Sequence, residues 1–259
     1  MGVLNVTPDS FSDGGLYLDV EAAVAHGEEL AREGAALVDV GGESTRPGAE
    51  PVPVGTELDR LVPVVERLAT GGTVVSVDTR KAEVAEAALQ AGARIVNDVS
   101  AFRHDPAMAG LVAGAGAGCC LMHMLGDDPR TMQADPRYDE VVSDVKAFLE
   151  ERLAFAVREG VREDRVWLDP GIGFGKTVDH NLELLRRLDE IVAIGRPVVI
   201  GTSRKSFLGR LTGRSEQERE AATIATNVIA FERGASVFRV HEVRGTLDAL
   251  KVAAATVRP

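Results

Sequence analysis

Short apolar runs and longer amphipathic stretches alternate along the whole chain. A strand that is covered on both faces produces an apolar run of this kind rather than a strict alternation. The runs lie at 2–6, 36–40, 74–77, 95–99, 119–124, 166–168, 198–200 and 237–240. We therefore predict eight buried strands.

The stretches between the runs have the periodicity of amphipathic helices. The clearest lie at 21–33, 81–91, 138–159, 181–194 and 216–233. Ser215 and Glu218 have the spacing of a capping box at one helix start. Glycines follow the helices where C-terminal caps belong, at Gly34, Gly92, Gly160, Gly195 and Gly234. The helices near 57–68, which contains Pro63, and near 106–113 are predicted to be the weakest.

Regular alternation of strands and helices indicates parallel strands joined by helical crossovers. Eight such units close naturally into a single-domain (β/α)8 TIM barrel, which we predict over residues 1–259. An open doubly wound sheet is the lesser alternative. Because the first run begins at residue 2, we expect a natural N-terminal segment to precede it.

The composition is that of a globular protein with an acidic surface, since 27% of residues are charged and the formal net charge is −11. This charge argues against nonspecific binding to nucleic acid or anionic membranes. Cys119 and Cys120 are adjacent within an apolar run, which favours core positions in a reducing cytosol. We expect no signal peptide and no membrane span, and hence a cytoplasmic protein.

Polar residues follow nearly every predicted strand. They lie at 5–9, 41–47, 78–80, 97–98, 123, 169, 202–206, 239 and 241. In a barrel the carboxyl ends of all strands open on one face, where active sites are found. These residues are therefore expected to converge on one mouth of the barrel, the end where the site would lie.

Two kinds of chemistry are present among these residues. Asp78, Asn97 and Asp169 are rich in acceptors and suit a flat heterocycle that presents several N–H groups. Arg46, Arg239, His241 and the hydroxyls of Ser44 and Thr45 are donors that suit a phosphate or diphosphate.

Hard oxygen ligands are available on the first loop. Asn5 and Asp13 suit Mg²⁺, which takes one or two protein ligands when phosphates supply others. The sequence therefore suggests a substrate with a heterocycle at one end and a magnesium diphosphate at the other.

Each polar residue also has a simpler interpretation. Asp78 and Asp169 could cap helices, Asn97 could satisfy a turn, and His123 could be a core histidine. Lys176 and Arg204 are expected to be solvated or structural, Arg80 to lie at the surface where it opens a helix, and Asp98 to be structural. The glycines before Lys176 do not form a nucleotide P-loop, because Pro170 stands where that motif needs a glycine. Only the joint placement at strand ends favours a site.

Several long segments resemble, in order, the dihydropteroate synthases of folate biosynthesis. They are MGVLNVTPDSFSDGG at 1–15, DVGGESTRPG at 39–48, DPGIGFGK at 169–176 and GTSRKSFL at 201–208, with shorter matches at 76–79, 97–100, 122–124 and 239–241. The resemblance implies a TIM barrel. It also implies an enzyme that condenses 6-hydroxymethyl-7,8-dihydropterin diphosphate with 4-aminobenzoate, releasing diphosphate.

The resemblance also implies residue roles. Asp78, Asn97, Asp169 and Lys205 would hold the pterin, while Thr45, Arg46, Arg239 and His241 would hold the diphosphate. Phe11, Pro47, Phe174, Lys205 and Ser206 would shape the 4-aminobenzoate pocket, where sulfonamides should compete. Asn5 would bind Mg²⁺, with Asp13 closing over it. Asp78, Asp169, Lys205 and Arg239 are expected to carry catalysis, by dissociative substitution.

The first two loops, which contain Gly14, Gly15, Gly41 and Gly42, are expected to be lids that order over diphosphate. The family resemblance suggests a homodimer formed through barrel helices. Glu242 departs from the pattern, since the family usually has aspartate there. Two alternative functions stay open: a catalytically silent pterin-binding paralogue and a methyltetrahydrofolate-binding methyltransferase domain.

Overall fold

Within the residues that the structure describes, eight short parallel strands form the centre of the fold. The structure is a computed structural model, and it describes residues 1–7, 16–44 and 50–257. The strands are β1 (Gly2–Asn5), β2 (Val38–Gly41), β3 (Val75–Asp78), β4 (Ile95–Asp98), β5 (Gly118–Met122), β6 (Val166–Asp169), β7 (Val199–Ile200) and β8 (Val237–Phe238). Each lies within or overlaps a run that the sequence predicted.

The strands close into a barrel. β1 to β6 pair in order as one parallel sheet, and β7 pairs with β8. Parallel bridges join Leu168 to Val198 and Gly2 to Val240, so the two sheets meet at both edges. The Val3 N–H donates to the Val240 carbonyl at 2.9 Å, which links the end of the chain's last strand to its first. This closure confirms the barrel and excludes the open sheet.

Helices surround the barrel in the order that the alternation predicts. They are α1 (Leu16–Arg32), α2 (Val54–Thr70), α3 (Ala82–Gln90), α4 (Met108–Ala115), α5 (Val141–Arg158), α6 (Val178–Arg186), α7 (Leu188–Val192), α8 (Ser206–Thr212), α9 (Glu220–Glu232) and α10 (Val243–Val257). The predicted caps Gly34, Gly92, Gly160, Gly195 and Gly234 all have positive φ, as expected.

Three helices differ from the sequence prediction. Pro63 lies inside α2, yet that helix spans 17 residues, because Leu61, Val64 and Leu68 bury its apolar face. The predicted helix at 181–194 is two helices, broken where Arg187 adopts φ −112° and ψ 30°. The capping box of Ser215 and Glu218 is present, but it begins a 3-10 turn that precedes α9.

The apolar core lies between the strands and the helices. Cys119 and Cys120 are buried free thiols, as the sequence predicted. Burial raises the pKa of Cys119 to about 12, so this thiol stays protonated and unreactive. Within the described part of the chain, no helix has the length and apolarity needed to cross a membrane.

Candidate active site

Three predicted site residues lie at one level on neighbouring strands. Asn5 ends β1, Asp78 ends β3 and Asn97 lies near the end of β4. The strand register pairs Asn5 with Gly41, Gly41 with Asp78, and Asp78 with Asn97. Residues paired in this way share a face of the sheet. The register therefore brings these polar side chains together at the carboxyl end of the barrel, as predicted.

Arg239 connects the two sides of this rim. Its Nη2 donates to Asp78 Oδ2 at 2.8 Å, and its Nε donates to Asp39 Oδ2 at 2.7 Å. The same Asp39 oxygen accepts from Asn97 Nδ2 at 3.0 Å. One hydrogen-bonded chain thus runs from Asn97 through Asp39 and Arg239 to Asp78, and we call these residues the Arg239 cluster.

The predicted acceptors and the predicted cations do not form two separate groups in the structure. Asp78 and Arg239 were assigned to opposite ends of the substrate, yet they form an ion pair with side chains only 12% and 22% exposed. A buried guanidinium requires carboxylates nearby, because an unpaired charge at this depth is costly. Asp78 therefore has Arg239 on one oxygen, while Oδ1 is oriented by the same contact and can accept a ligand N–H.

Sequence reasoning missed Asp39. It lies in the middle of β2 with no exposed surface, between the equally buried Val38 and Val40. The signal was available, because a carboxylate inside an apolar run must have a buried partner. Asp39 lies within a strand, whereas the other predicted site residues lie at or after strand ends.

The electrostatics of the Arg239 cluster are unusual. Burial raises the pKa of Asp78 to about 7, and the carboxylates of Asp39, Glu57 and Asp98 act in the same direction against the attraction of Arg239. Arg239 itself is held fully protonated, because the pull of Asp39, Asp78 and Asp169 outweighs its desolvation. A protonated Arg239 among carboxylates, one of which titrates near neutral pH, is typical of a functional site.

Asp169 adds a second acidic position, at the end of β6. It is 6% exposed, and burial raises its pKa, whereas the Gly171 N–H, Lys205 and Arg239 lower it. Its Oδ1 accepts the Gly171 N–H at 2.7 Å. Neither Asp169 nor Asp78 caps a helix, since Thr177 caps α6 and Lys81 precedes α3. The simpler interpretation as caps is therefore excluded.

The glycine-rich loop after Asp169 is rigidly held. Gly171 has φ +66°, and a Cβ there would lie 1.8 Å from the His123 carbonyl oxygen, so only glycine fits. Asn181 Oδ1 accepts the Gly173 N–H at 2.7 Å, and the Tyr138 hydroxyl donates to the Gly175 carbonyl at 2.8 Å. These contacts fix the loop that carries Phe174.

Lys176 is buried, which excludes the solvated position and leaves the structural one of the two alternatives. Its Nζ lies 2.9 Å from His123 Nδ1 and donates to the Phe174 carbonyl at 3.1 Å. Burial lowers the pKa of Lys176 to about 7, with Asp169 opposing, and burial with Lys176 nearby lowers the pKa of His123 to about 2. A neutral His123 thus accepts from Lys176, which gives Lys176 a structural role in the loop.

Lys205 and Phe174 form a wall beside Asp169. The Lys205 ammonium lies 3.9 Å from the centroid of the Phe174 ring, a cation–π distance. Lys205 also precedes α8, whose first residue, Ser206, is exposed. The structure therefore brings together Asp169, Lys205 and Phe174, and Ser206 follows Lys205 at the start of α8.

His241 lies just after β8, the strand that pairs with β7. Its Nδ1 is 2.9 Å from Ser203 Oγ, which also accepts the His241 backbone N–H at 3.2 Å. Arg204, predicted to be solvated or structural, has φ +59° and donates from Nε to Glu242 Oε1 at 2.7 Å. Glu242 therefore has a definite partner, and Ser203 fixes the position of His241, two residues after Arg239.

The loop that follows β2 is held at both ends by charged side chains that are largely buried. The Val52 N–H donates to Glu43 Oε2 at 3.0 Å, while Lys81 Nζ contacts Glu43, donates to the Val52 carbonyl at 2.6 Å and donates to Glu57 Oε2 at 2.6 Å. Arg80 pairs with Glu43 at 3.1 Å and is 13% exposed, so its expected surface placement was wrong. This network spans the base of the loop that carries residues 45–47.

Asp98 has the structural role that the sequence predicted. Its carboxylate accepts the Ser100 N–H and hydroxyl, both at 2.7 Å, and the Phe102 N–H at 2.9 Å. Ala101 and Phe102 both have positive φ, at 53° and 64°, which is strained for residues with a Cβ. Asp98 therefore holds a strained turn after β4.

The oxygen chemistry on β1 fits a substrate-borne Mg²⁺ rather than a dedicated cage. A Cβ at Gly41 would meet Asn5 Oδ1 at 3.8 Å and Asp78 Oδ2 at 3.7 Å, so both oxygens border the space that the glycine leaves open. In the described part of the chain, no group of three or more His, Cys, Asp or Glu side chains could hold a metal. A single amide oxygen suits an ion that also takes phosphate oxygens and waters.

Five of the predicted residues lie outside the described part of the chain. They are Phe11, Asp13, Thr45, Arg46 and Pro47. Gly14 and Gly15 of the expected first lid lie there as well. The other predicted residues lie at the carboxyl ends of their strands or in the segments that follow them.

The TIM barrel gathers acceptors, a guanidinium and a hard oxygen at one mouth, a set that suits a nitrogen heterocycle. In agreement, the family described as pterin binding enzyme matches residues 1–241. The chain belongs to that family.

The relatives narrow this class to dihydropteroate synthases. The dihydropteroate synthase of Mycobacterium leprae (strain TN) is 53% identical over 98% of this chain and 92% of the relative. The Xanthomonas albilineans dihydropteroate synthase with 4-aminobenzoic acid has a TM-score of 0.94 and 49% identity, covering 100% of this chain and 93% of that one.

A second Xanthomonas albilineans structure, in complex with 7,8-dihydropteroate, has a TM-score of 0.90 and 45% identity, over 100% of this chain and 93% of the other. Similarity at this level along whole chains shows an enzyme, a transferase of the dihydropteroate synthase type.

Proposed function

We propose that the chain condenses 6-hydroxymethyl-7,8-dihydropterin diphosphate with 4-aminobenzoate, giving 7,8-dihydropteroate and diphosphate. The observation that carries the proposal is the buried Arg239, which lies between Asp39 and Asp78 with Asp169 nearby. Relatives that hold 4-aminobenzoic acid and 7,8-dihydropteroate support this assignment of substrates.

The pterin ring would lie against the acceptors. Asp78 Oδ1, Asn97 Oδ1 and the carboxylate of Asp169 can each accept an N–H from an aminopyrimidinone edge. Because these groups belong to β3, β4 and β6, they surround a flat ring from three directions. Lys205, close to Asp169 and above Phe174, would cover one face of the ring.

The bond that breaks joins the exocyclic carbon to the diphosphate oxygen, and the electron pair leaves with the diphosphate. Arg239 and His241 would bind the departing oxygens, which lowers the energy of the charge that develops there. Mg²⁺ bound at Asn5 would neutralise part of the same charge. The carboxylates of Asp78 and Asp169 favour the cation left on the carbon, which is delocalised into the ring.

The arylamine nitrogen of 4-aminobenzoate then forms the new C–N bond with its lone pair, and its proton is lost to water. An arylamine is weakly basic, so the protein needs to position it rather than deprotonate it beforehand. The wall of Phe174 and Lys205 would hold the ring, and the exposed Ser206 hydroxyl would donate to the carboxylate. No covalent intermediate with the protein is required.

The same proposal includes expectations about assembly and location, about loop closure and about inhibition. The chain would act as a cytoplasmic homodimer formed through barrel helices. The loops that carry Thr45, Arg46, Pro47, Phe11 and Asp13 would close over the substrates, and the base of the second is held by Glu43 and Lys81. Sulfonamides would compete with 4-aminobenzoate for its pocket.

A product assay tests the proposal. Purified chain is incubated with the pterin diphosphate, 4-aminobenzoate and Mg²⁺, and dihydropteroate is measured. We expect product with the natural sequence and with Lys251→Ala, an exposed control, and a loss of at least about a hundredfold with Asp169→Ala or Lys205→Ala. Tight pterin binding by the natural sequence without product would instead indicate a silent pterin-binding paralogue.

A further inference from the structure

Asp39 occupies a position that packing alone does not explain. It is fully buried among apolar strand residues, and its Oδ2 accepts both from Asn97 at 3.0 Å and from Arg239 at 2.7 Å. Its Oδ1 is buried and has no hydrogen-bond partner among the described residues. A buried carboxylate with one unused oxygen is costly, so it is expected to be retained for a reason other than stability.

The contact with Asn97 determines which way that amide points. An amide has a donor end and an acceptor end, and its orientation follows from its hydrogen-bond partners. An ionised carboxylate can only accept, so Nδ2 of Asn97 must face Asp39. The acceptor end, Oδ1, is consequently directed away from Asp39.

We propose that Asp39 is a positioning residue that fixes Asn97 as an acceptor for a ring N–H of the pterin. This inference rests on the proposed function, in which Asn97 contacts the pterin. Asp39 acts through Asn97 and does not need to touch the substrate. Without an acceptor oxygen at position 39, Asn97 is free to rotate and to present its NH2 group, which would face an N–H of the ring donor to donor.

The same carboxylate holds Arg239 by its Nε, leaving Nη2 for Asp78. Asp39 therefore coordinates two predicted substrate-binding residues that are 142 positions apart, Asn97 and Arg239 (239 − 97). A purely structural ion pair would need only Arg239. The additional bond to Asn97 is the feature that distinguishes positioning from charge balance.

Removing or keeping the acceptor at position 39 tests the proposal. Asp39→Ala removes the oxygen that faces Asn97 Nδ2. In Asp39→Asn the charge is lost, but the Arg239 Nε–H holds the new amide oxygen in place, where it still accepts from Asn97. A residue that is needed only for charge balance would lose its effect in both variants.

The affinity for 6-hydroxymethyl-7,8-dihydropterin is measured by isothermal titration calorimetry, with a thermal melt for each variant. We expect the dissociation constant to rise at least about tenfold in Asp39→Ala and to stay within about threefold of the natural value in Asp39→Asn. Asp39→Ala binding the pterin as the natural sequence does would overturn the proposal, as would a folded Asp39→Asn that loses as much affinity as Asp39→Ala.

A measurement on the natural sequence needs no variant to fold. In ¹⁵N-labelled protein with pterin bound, the side-chain NH2 group of Asn97 should stay directed at Asp39. Its protons should then show only the weak nuclear Overhauser effect to ring N–H protons that is expected when Oδ1, rather than Nδ2, contacts the ring. Direct contact of the NH2 group with a ring acceptor would overturn the proposal. If the natural sequence bound no pterin at all, the proposed function itself would fail.

Discussion

Arg239 Nη2 lies 2.8 Å from Asp78 Oδ2, although the two residues are 161 positions apart in the chain. β3 and β8 approach each other only because the barrel closes, so this ion pair depends on the fold being complete. It ties a residue assigned to the pterin to one assigned to the diphosphate. The two ends of the substrate would therefore be bound by one connected cluster of side chains.

Asp78 should make pterin binding depend on pH near neutrality. Its pKa is raised to about 7, so the carboxylate is protonated below that pH and loses its capacity to accept from a ring N–H. We predict that kcat/KM for the pterin diphosphate falls by up to about tenfold per pH unit below pH about 7. In Asp78→Asn the profile should lack this limb, at a lower activity throughout.

The diphosphate also gains protons in this range, so the control is the binding of 6-hydroxymethylpterin, which has no phosphate. Calorimetric affinity for that compound should weaken on acidification with the natural sequence and stay constant with Asp78→Asn. A natural-sequence affinity that does not change between about pH 5.5 and 8 would refute the assignment.

Lys176 should make stability rise with pH. Its pKa is lowered to about 7 in the folded chain from 10.5, so between these values the unfolded chain holds a proton that the folded chain has lost. The destabilisation is complete below pH about 7 and disappears as the pH rises toward 10.5. The slope from this single group is at most about 1.4 kcal/mol per pH unit.

Urea unfolding of the natural sequence and of Lys176→Met at several pH values between about 7 and 9.5 measures this effect by difference. Other lysines, tyrosines and cysteines titrate in both chains and cancel. We expect the natural sequence to gain stability relative to the variant as the pH rises. Parallel curves for the two chains would show that Lys176 is protonated throughout.

Gly171 should be irreplaceable. A Cβ would lie 1.8 Å from the His123 carbonyl oxygen, and the φ of +66° is unfavourable for any other residue. We predict that Gly171→Ala lowers the free energy of unfolding by about 2–4 kcal/mol and weakens pterin binding by displacing the neighbouring Asp169.

Gly213→Ala is the matched control for Gly171→Ala. Gly213 has a similar φ of +71°, but nothing lies within 4 Å of a Cβ there. The cost should be limited to the backbone conformation, about 1 kcal/mol, with no change in pterin affinity. Equal losses in the two variants would show that the clash with His123 is relieved by movement of the loop.

Lys81 should support the second loop through charge. It contacts the carboxylates of Glu43 and Glu57, and Glu57 is only 1% exposed, so Lys81→Met would leave the buried Glu57 carboxylate without its cation and Glu43 with Arg80 alone. We predict a loss of about 3–5 kcal/mol in stability, together with a raised KM for the pterin diphosphate. Lys251→Met, at an exposed lysine, should change neither quantity.

Much of the fold could be predicted because its signals are local. Apolar runs, helical periodicity and glycines at helix ends each involve a few neighbouring residues, and they located all eight strands. The break at Arg187 and the uninterrupted α2 around Pro63 were not foreseen, because tertiary packing decides between continuing and ending a helix.

The site was predicted less completely, for a physical reason. Strand-end placement identified Asp78, Asn97, Asp169 and Arg239, but burial and pairing depend on residues far away in the sequence. Lys176 and Arg80 look like surface residues locally, and only the packed barrel encloses them. Asp39 was missed because its partners, Asn97 and Arg239, lie on other strands.

A crystal structure of the natural sequence with 7,8-dihydropteroate bound tests the central claim most directly. We predict the pterin ring at the mouth of the barrel, with ring N–H groups within about 3.2 Å of the Asp169 carboxylate, Asn97 Oδ1 and Asp78 Oδ1. The 4-aminobenzoyl group should lie against Phe174 and Lys205. A ring bound elsewhere, or bound at the mouth without contact to these three acceptors, would contradict the account.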